Sequence, residues 1–144
     1  MKLVILIPAF NEAEKISSVI STMPHSLPHI DEIEIIVVDD GSKDETAKLA
    51  QAAGATVISH HRNMGVGKAF HTGLQAALSS GADVLVNIDA DGQFDSKDIP
   101  LLLQPILDEK ADFVSGDRFT TADGSVQRPD YMSAIKFWGN KRMS

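Results

Sequence analysis

The chain has no cysteine in its 144 residues, which excludes disulfide bonds, thiolate metal sites and cysteine nucleophiles. It also has no long apolar run. Nothing approaches the roughly 20 apolar residues of a membrane span, and the run that ends at Pro8 is too short for a signal-peptide core. The five histidines lack the HExxH-type spacing that would favour a zinc site. A cytoplasmic protein is therefore the default expectation.

Positive charge is scarce, with 13 Lys and Arg residues against 20 Asp and Glu residues and a net charge of −7. This balance argues against nucleic acid as the main partner. The charge is also uneven, because residues 120–144 hold 4 basic and 2 acidic side chains. Such a basic tail is typical of a segment that contacts phosphates or an anionic membrane surface. A solvated chain end with a few basic residues is an equally good interpretation.

Apolar runs alternate with helix-period segments, and the chain is long enough for one domain with a real core. The predicted strands are Lys2–Ile7, Glu34–Val38, Thr56–Ser59, Asp83–Ile88 and Asp112–Ser115, and the predicted helices are Glu12–Met23, Asp44–Ala53, Val66–Ser80 and Ser96–Glu109. We expect Pro8 to end the first strand because it lacks an N–H donor, and Pro105 to kink or break the last helix near residues 101–104. The alternation predicts an α/β fold: a mostly parallel sheet covered by helices on both faces.

Polar clusters follow four of the five predicted strands. They are Ala9–Glu12, Asp39–Ser42, Asp89–Asp91 and Gly116–Arg118. The carboxyl ends of parallel strands meet at one edge of the sheet, and ligands bind there near a switch in strand order. The pattern therefore predicts one binding site built from these four clusters.

Asp89 and Asp91 are the most informative of these residues. If the fourth strand continues through them, residues at i and i+2 point the same way and the two carboxylates lie close together. Two like charges held close together favour a cation between them, and Mg²⁺ typically binds one or two carboxylates plus substrate phosphates. The pair therefore predicts a site for a metal–phosphate ligand, against the alternative of a polar turn after a strand.

Five segments together resemble the family 2 glycosyltransferases with the GT-A fold, nearest to the branch of dolichol-phosphate mannose synthases and polyprenyl-phosphate glucose synthases. They are, in order, VILIPAFNE (4–12), VVDDGSKDET (37–46), NMGVGKA (63–69), DADGQ (89–93) and GDRF (116–119). The resemblance covers residues 3–119. It implies a three-layer α/β/α fold and transfer of a sugar from a nucleotide-diphosphate donor, with inversion and with Mn²⁺ or Mg²⁺ as cofactor.

The resemblance also assigns roles to matching positions. The donor nucleotide is implied to contact Pro8, Ala9, Asn11, Glu12, Asp39, Asp40, Gly67, Lys68, Asp89 and Ala90. The implied metal ligands are Asp89, Asp91 and Gln93, and the implied catalytic residues are Asp91 and Arg118. Arginine suits this place because its guanidinium can clamp a diphosphate with two hydrogen bonds.

The acceptor side of the protein is expected to be incomplete. Residues 1–119 are predicted to form the nucleotide-sugar-binding core, and residues 120–144 the start of an acceptor-side region. The resemblance implies a lipid-phosphate or glycan acceptor, and no general base is evident. An already anionic polyprenyl phosphate would need no strong base. Two further partners remain alternatives. One is a membrane surface, through peripheral association, and the other is a second copy of the chain that pairs with an unfinished sheet edge.

Simpler explanations exist for several of these residues. Asp39 and Asp40 precede a glycine as in a common turn, and Asn11, Ser42 or Asp44 could cap a helix. Gly65 could begin the third helix with Lys68 solvated, and His60, His61 and His71 are expected to be structural or solvated.

Three other classes of enzyme do not match the sequence. A nucleotidyltransferase would need a basic glycine-rich loop after the first strand, and an Asp-x-Asp phosphatase would place its pair of aspartates there; this chain has neither at that position. A receiver domain would need a lone phosphorylated aspartate at mid-sheet and a later lysine, and the sequence does not fit that geometry either. The remaining rival is a donor-binding module without transfer activity.

Overall fold

The structure, a computed structural model, describes residues 1–116. Its elements are β1 (Lys2–Ala9), α1 (Ile16–Thr22), β2 (Glu32–Asp39), α2 (Thr46–Ala52), β3 (Thr56–Ser59), α3 (Val66–Ser79), β4 (Val84–Asn87), a 3-10 turn (Ser96–Asp98) and α4 (Ile99–Leu107). All the strand pairs in this part of the chain are parallel, and the strand order is β3-β2-β1-β4. The predicted α/β fold with a parallel sheet is confirmed.

Strand β1 lies at the centre of the sheet, and both of its faces are buried. Val4 and Leu6 belong to one apolar cluster, completed by Ile36, Val38, Ala69 and Ala77. Leu3, Ile5 and Ile7 alternate with them and are also fully buried, so they cover the opposite face. A strand covered on both faces reads as a continuous apolar run, which explains the sequence pattern.

Helix α3 lies very close to the sheet at Gly73. A Cβ atom added there would lie only 2.1 Å from Cδ1 of Leu6. Gly73 is therefore required by close packing between the helix and β1 rather than by a turn. The C-terminal end of α3 lies at Ser79, and Gly81 follows it with φ of 79°; the N–H of Gly81 donates to Leu78 and the N–H of Ala82 donates to Ala77, as the glycine in the sequence predicts.

The winding of the chain reverses at β1. The chain moves from β1 to β2 to β3 in one direction, with α1 and α2 in contact with each other, and then returns through α3 to β4 on the other side of β1. Because crossovers between parallel strands are right-handed, the helices of the β1-to-β3 direction pack on one face of the sheet, and α3, which leads back to β4, packs on the other. The switch point, where ligands bind in such sheets, therefore lies between β1 and β4.

Pro8 does not end β1, contrary to the expectation from sequence. The strand continues to Ala9, and Pro8 pairs with Val38 of β2. Residues of a parallel strand bond alternately to its two neighbours, and Leu6 accepts from Ile88 on the β4 side while Ala9 accepts from Asp40 on the β2 side. The backbone of Pro8 therefore faces β4. Because Pro8 has no N–H to donate, the pairing of β1 with β4 ends before it, while the pairing with β2 continues.

Two further expectations about the end of the chain are wrong. Asp112–Ser115 forms no strand, and Phe113 is 84% exposed, because two neighbouring apolar residues make a strand only where a partner strand pairs with them. Helix α4 also runs unbroken through Pro105, which stands only two residues before its end. The predicted break near residues 101–104 is absent. The helix nevertheless ends soon after Pro105, as expected of a residue that cannot donate a backbone hydrogen bond.

The chain divides into one compact unit of residues 1–103 and a second of residues 104–144. Only residues 104–116 of the second unit are described; they comprise the end of α4 and an irregular segment. The predicted boundary between a core and an acceptor-side region at residue 119 lies outside the described residues. Within the described part, none of the helices is long and apolar enough to cross a lipid bilayer.

Candidate functional site

A cleft of about 410 Å³ opens at the carboxyl ends of β1 and β4, at the switch point of the sheet. Its volume lies in the range of small-molecule sites. Its lining residues are Pro8, Ala9, Phe10, Glu12, Asp40, Asn63, Gly65, Val66, Ala69, Asp89, Ala90 and Asp91. The clusters after β1, β2 and β4 thus meet at one place, as predicted from their positions at strand ends.

The loop after β1 is braced against the loop after β2. Asn11 has φ of 55°, its Oδ1 accepts from the N–H of Lys43 at 2.9 Å, and its own N–H donates to Oγ of Ser42 at 2.9 Å. The N–H of Glu12 donates to Oγ1 of the buried Thr46. Asn11 is therefore not a helix cap, since α1 begins four residues after Glu12. Its role in the structure is to hold the lining residue Glu12 in place.

Asp39 and Asp40 are both buried, with 5% and 4% of their surface exposed, but they face different partners. The carboxylate of Asp39 accepts from the N–H of Ser42 at 3.0 Å, which is the turn that the sequence allowed as an alternative. Asp40 lines the cleft, and Asp39 is not among the lining residues. Of these two neighbouring carboxylates, one accepts a hydrogen bond within its own turn and the other lines the cleft, and the predicted contact of each with a nucleotide stays a prediction.

The Asp40 carboxylate accepts three hydrogen bonds. Oδ1 accepts from Nδ1 of His60 at 2.6 Å and from the N–H of Met64 at 2.9 Å, and Oδ2 accepts from the N–H of Gly65 at 2.8 Å. Burial by itself raises the pKa of Asp40, but the bonds from His60 and the two amides outweigh it, so that this pKa lies below its ordinary value. Asp40 is therefore ionised at neutral pH although it is buried.

Replacement of Asp40 by Asn should make the free energy of unfolding depend less on pH in the acidic range. Because the folded-state pKa is lowered, the carboxylate stabilises the fold fully above its unfolded pKa, and this contribution disappears as the pH falls through the lowered value. We expect Asp40→Asn to lower the free energy of unfolding by about 1.5–3 kcal/mol at pH 7, with the deficit shrinking below about pH 4. Urea unfolding of both proteins across pH measures this, with the exposed Asp98→Asn as control. A deficit that stays constant with pH would contradict the assignment.

Asp89 and Asp91 lie in a turn, since β4 ends at Asn87. The strand alternation used to predict their common direction therefore does not apply. Both nevertheless line the cleft, with the buried Ala90 between them. Oδ1 of Asp91 accepts from the N–H of Gln93 at 2.9 Å, which closes the turn. The turn, rather than the strand, presents the two carboxylates to the cleft.

These two carboxylates fit a divalent ion that arrives together with a phosphate ligand. Within residues 1–116 no three His, Asp, Glu or Cys side chains meet at one point. Two carboxylates and open cleft space suit an ion such as Mg²⁺ or Mn²⁺, which keeps several water ligands and takes phosphate oxygens. Gln93 is exposed and is not among the lining residues, so its role as a metal ligand stays a prediction.

Other predicted residues lie beside the cleft or outside the described chain. Gly67 and Lys68 are exposed in the first turn of α3, whereas Gly65 and Val66 line the cleft. Arg118 lies outside the described residues. The sequence reasoning did not assign the lining residues Phe10, Asn63, Gly65, Val66 and Ala69.

His60 also gains a role that sequence did not predict, because it contacts Asp40. One clue was available: His60 directly follows β3 just as Asp40 directly follows β2.

Comparison with known proteins is consistent with this geometry. The sequence profile described as "Glycosyl transferase family 2" matches residues 4–143. A UDP-N-acetylglucosamine–dolichyl-phosphate N-acetylglucosaminyltransferase of Methanococcus voltae is 36% identical over 132 residues, covering 79% of this chain and 51% of that protein. An undecaprenyl-phosphate mannosyltransferase of Micrococcus luteus is 32% identical, covering 97% and 58%.

Among solved structures, glucosyl-3-phosphoglycerate synthase of Mycobacterium tuberculosis, in complex with Mn²⁺, UDP and glucosyl-3-phosphoglycerate, superposes with a TM-score of 0.60. The two are 31% identical, and the match covers 74% of this chain and 39% of that one. The chain spans about half the length of the curated relatives it matches.

Proposed function

The chain belongs to glycosyl transferase family 2, and from this premise we propose that it binds a UDP- or GDP-sugar and transfers the sugar, with inversion, to a polyprenyl phosphate. The observation that supports this most is the placement of two sets of carboxylates in one cleft. Asp89 and Asp91 line it after β4, and Glu12 and Asp40 line it from the β1 and β2 ends. Such a cleft offers one place for a diphosphate and another for a nucleoside.

The nucleoside end of the ligand matches Glu12 and Asp40. Both side chains accept hydrogen bonds when ionised, so they suit the N–H groups of a base and the hydroxyls of a ribose rather than phosphates. Among the described residues, Gly65 alone donates to Oδ2 of Asp40, which leaves a lone pair of this oxygen for the ligand. We assign this end of the cleft to the base and ribose.

The diphosphate end matches Asp89 and Asp91, which would hold a divalent ion, Mn²⁺ or Mg²⁺. A bound divalent ion supplies charge stabilisation, which matters more as the departing nucleoside diphosphate gains negative charge. Asp91 holds its own geometry through the bond to Gln93. Arg118 is proposed as a second cationic contact to the diphosphate.

A polyprenyl-phosphate acceptor is supported by the relatives named for dolichyl phosphate and undecaprenyl phosphate. A phosphate oxygen of the acceptor is already anionic at neutral pH, so attack on the sugar needs no strong general base. This acceptor would place the protein at a membrane surface. A donor-binding module without transfer is the alternative, since the cleft described within residues 1–116 accounts for donor binding alone.

Calorimetric titration of the chain with UDP and with GDP, each with and without Mn²⁺, tests the donor site. We expect one of the two nucleotides to bind in the low micromolar range only with the metal, because diphosphate oxygens and the two carboxylates complete one coordination sphere. The preferred nucleotide identifies the class of sugar donor. Transfer to a polyprenyl phosphate with the matching sugar nucleotide then separates the enzyme from the binding module.

The same titration with UMP or GMP serves as the matched control. A monophosphate retains the base and ribose contacts but lacks the bridging diphosphate, so its binding should gain little from Mn²⁺. Equal binding of the preferred diphosphate with and without the metal would contradict the proposed metal–diphosphate site. Absence of binding by both diphosphates would contradict the donor site itself.

A further inference from the structure

His60 lies behind the cleft, between two polar side chains. It directly follows β3, and the pairing of Asp39 with Ser59 brings it next to Asp40. Its Nδ1 lies 2.6 Å from Oδ1 of Asp40, and its Nε2 lies 2.9 Å from Oγ1 of Thr72 on α3. Only 10% of the His60 side chain is exposed, and neither His60 nor Thr72 lines the cleft.

The chemistry of these groups determines where the protons lie. An ionised carboxylate only accepts hydrogen bonds, so Nδ1 of His60 must carry a proton that it donates to Asp40. In a neutral imidazole Nε2 then accepts from the hydroxyl of Thr72, and in an imidazolium it donates to the same oxygen. The ring is thus held from both sides in either state of charge.

The carboxylate held by His60 also organises a wall of the cleft. Asp40 accepts from the N–H groups of Met64 and Gly65, and Gly65 lines the cleft beside it. Oδ1 of Asp40 is occupied by two internal bonds, while Oδ2 accepts one. Rotation of this carboxylate would change both the ligand contact and the loop that leads into α3.

We propose that His60 is a positioning residue of the donor site, which fixes the Asp40 carboxylate through Nδ1–H and so presents Oδ2 to an N–H or O–H donor of the nucleoside. The ligand in this statement rests on the proposed function. His60 acts through Asp40 and contacts no ligand itself. Thr72 bonds to Nε2 on the opposite side of the ring, so it acts on Asp40 only through His60 and contributes less to the position of the carboxylate.

Two substitutions separate this role from simple filling of space. In His60→Asn the side-chain NH₂ can take the place of Nδ1–H, whereas in His60→Gln it reaches the place of Nε2. We expect His60→Gln to weaken binding of the preferred nucleoside diphosphate about tenfold, as for loss of a hydrogen bond to a charged group. We expect His60→Asn to stay within about twofold of the unaltered chain, and His61→Gln, an exposed neighbour, to have no effect.

A second readout needs no ligand. In ¹⁵N NMR spectra of the metal-free chain, His60 should be protonated at Nδ1, and the amide signals of Met64 and Gly65 should move in His60→Gln but stay in place in His60→Asn. A neutral ring protonated only at Nε2, or equal effects of the two substitutions, would overturn the proposal. If the unaltered chain binds no nucleotide, the proposed function fails, and the spectra alone decide the role of His60.

Discussion

Replacement of Asp91 by Ala should abolish the metal-dependent part of nucleotide binding. Asp91 supplies one of two carboxylates that the turn after β4 presents to the cleft. A metal contact to a ligand oxygen contributes several kcal/mol, so we expect affinity for the preferred nucleoside diphosphate in Mn²⁺ to fall at least about a hundredfold. Calorimetric titration with and without Mn²⁺ measures the loss, and binding without the metal should change little.

The same side chain also closes the turn through the N–H of Gln93, so a second variant must separate the two roles. Asp91→Asn keeps an oxygen that can accept from Gln93 but removes the negative charge. We expect it to lose the metal effect as Asp91→Ala does, while its free energy of unfolding stays within about 0.5 kcal/mol of the original. Asp98→Asn removes an exposed charge outside the cleft and should leave affinity unchanged. Retained Mn²⁺-dependent binding in Asp91→Asn would contradict the proposed metal site.

Replacement of Gly41 by Ala should be the most destabilising change near the cleft. Gly41 has φ of +74°, and a Cβ atom there would lie 2.4 Å from the carbonyl carbon and 2.6 Å from Cα of Arg62. The left-handed conformation costs roughly 1–2 kcal/mol, and overpacking roughly 1–3 kcal/mol. We expect the free energy of unfolding, measured in urea, to fall by about 2–5 kcal/mol.

Gly54 offers a matched control for this experiment. It also has a positive φ, of +96°, but within residues 1–116 no atom beyond its chain neighbours lies within 4 Å of an added Cβ. Gly54→Ala therefore tests the conformational cost alone, and it should lower stability by only about 1–2 kcal/mol. Equal losses in the two variants would show that the close approach of Gly41 to the Arg62 backbone has no energetic weight. Because Gly41 follows Asp40, Gly41→Ala should also weaken nucleotide binding.

Much of the fold was predictable because each buried parallel strand appears as an apolar run and each helix has its own period. β3 and the start of α3 lie where the sequence predicts them, and Gly81 ends α3 as expected. The meeting of Asp40, Asp89 and Asp91 was also predictable, since parallel strands end at a common edge. Local pattern suffices where the physical cause is itself local.

The failures involve partners that local pattern does not reveal. Pro8 ends only the ladder with β4, which depends on which neighbour its missing N–H faces. Asp112–Ser115 contains two neighbouring apolar residues, but among residues 1–116 it pairs with no strand. Asn11, which the sequence allowed as a helix cap, instead accepts a hydrogen bond from Lys43 in another loop. In each case the deciding contact comes from a residue distant in sequence.

The sequence by itself determined the α/β fold, the family and the carboxylates at the strand ends, because hydrophobic periodicity and short motifs are properties of neighbouring residues. Only the tertiary structure distinguished Asp39, which closes a turn, from Asp40, which lines the cleft. It alone brought His60 to Asp40, through the register of two strands that are separated along the chain by α2. A register depends on how helices and strands pack together, and that packing is decided by the whole fold.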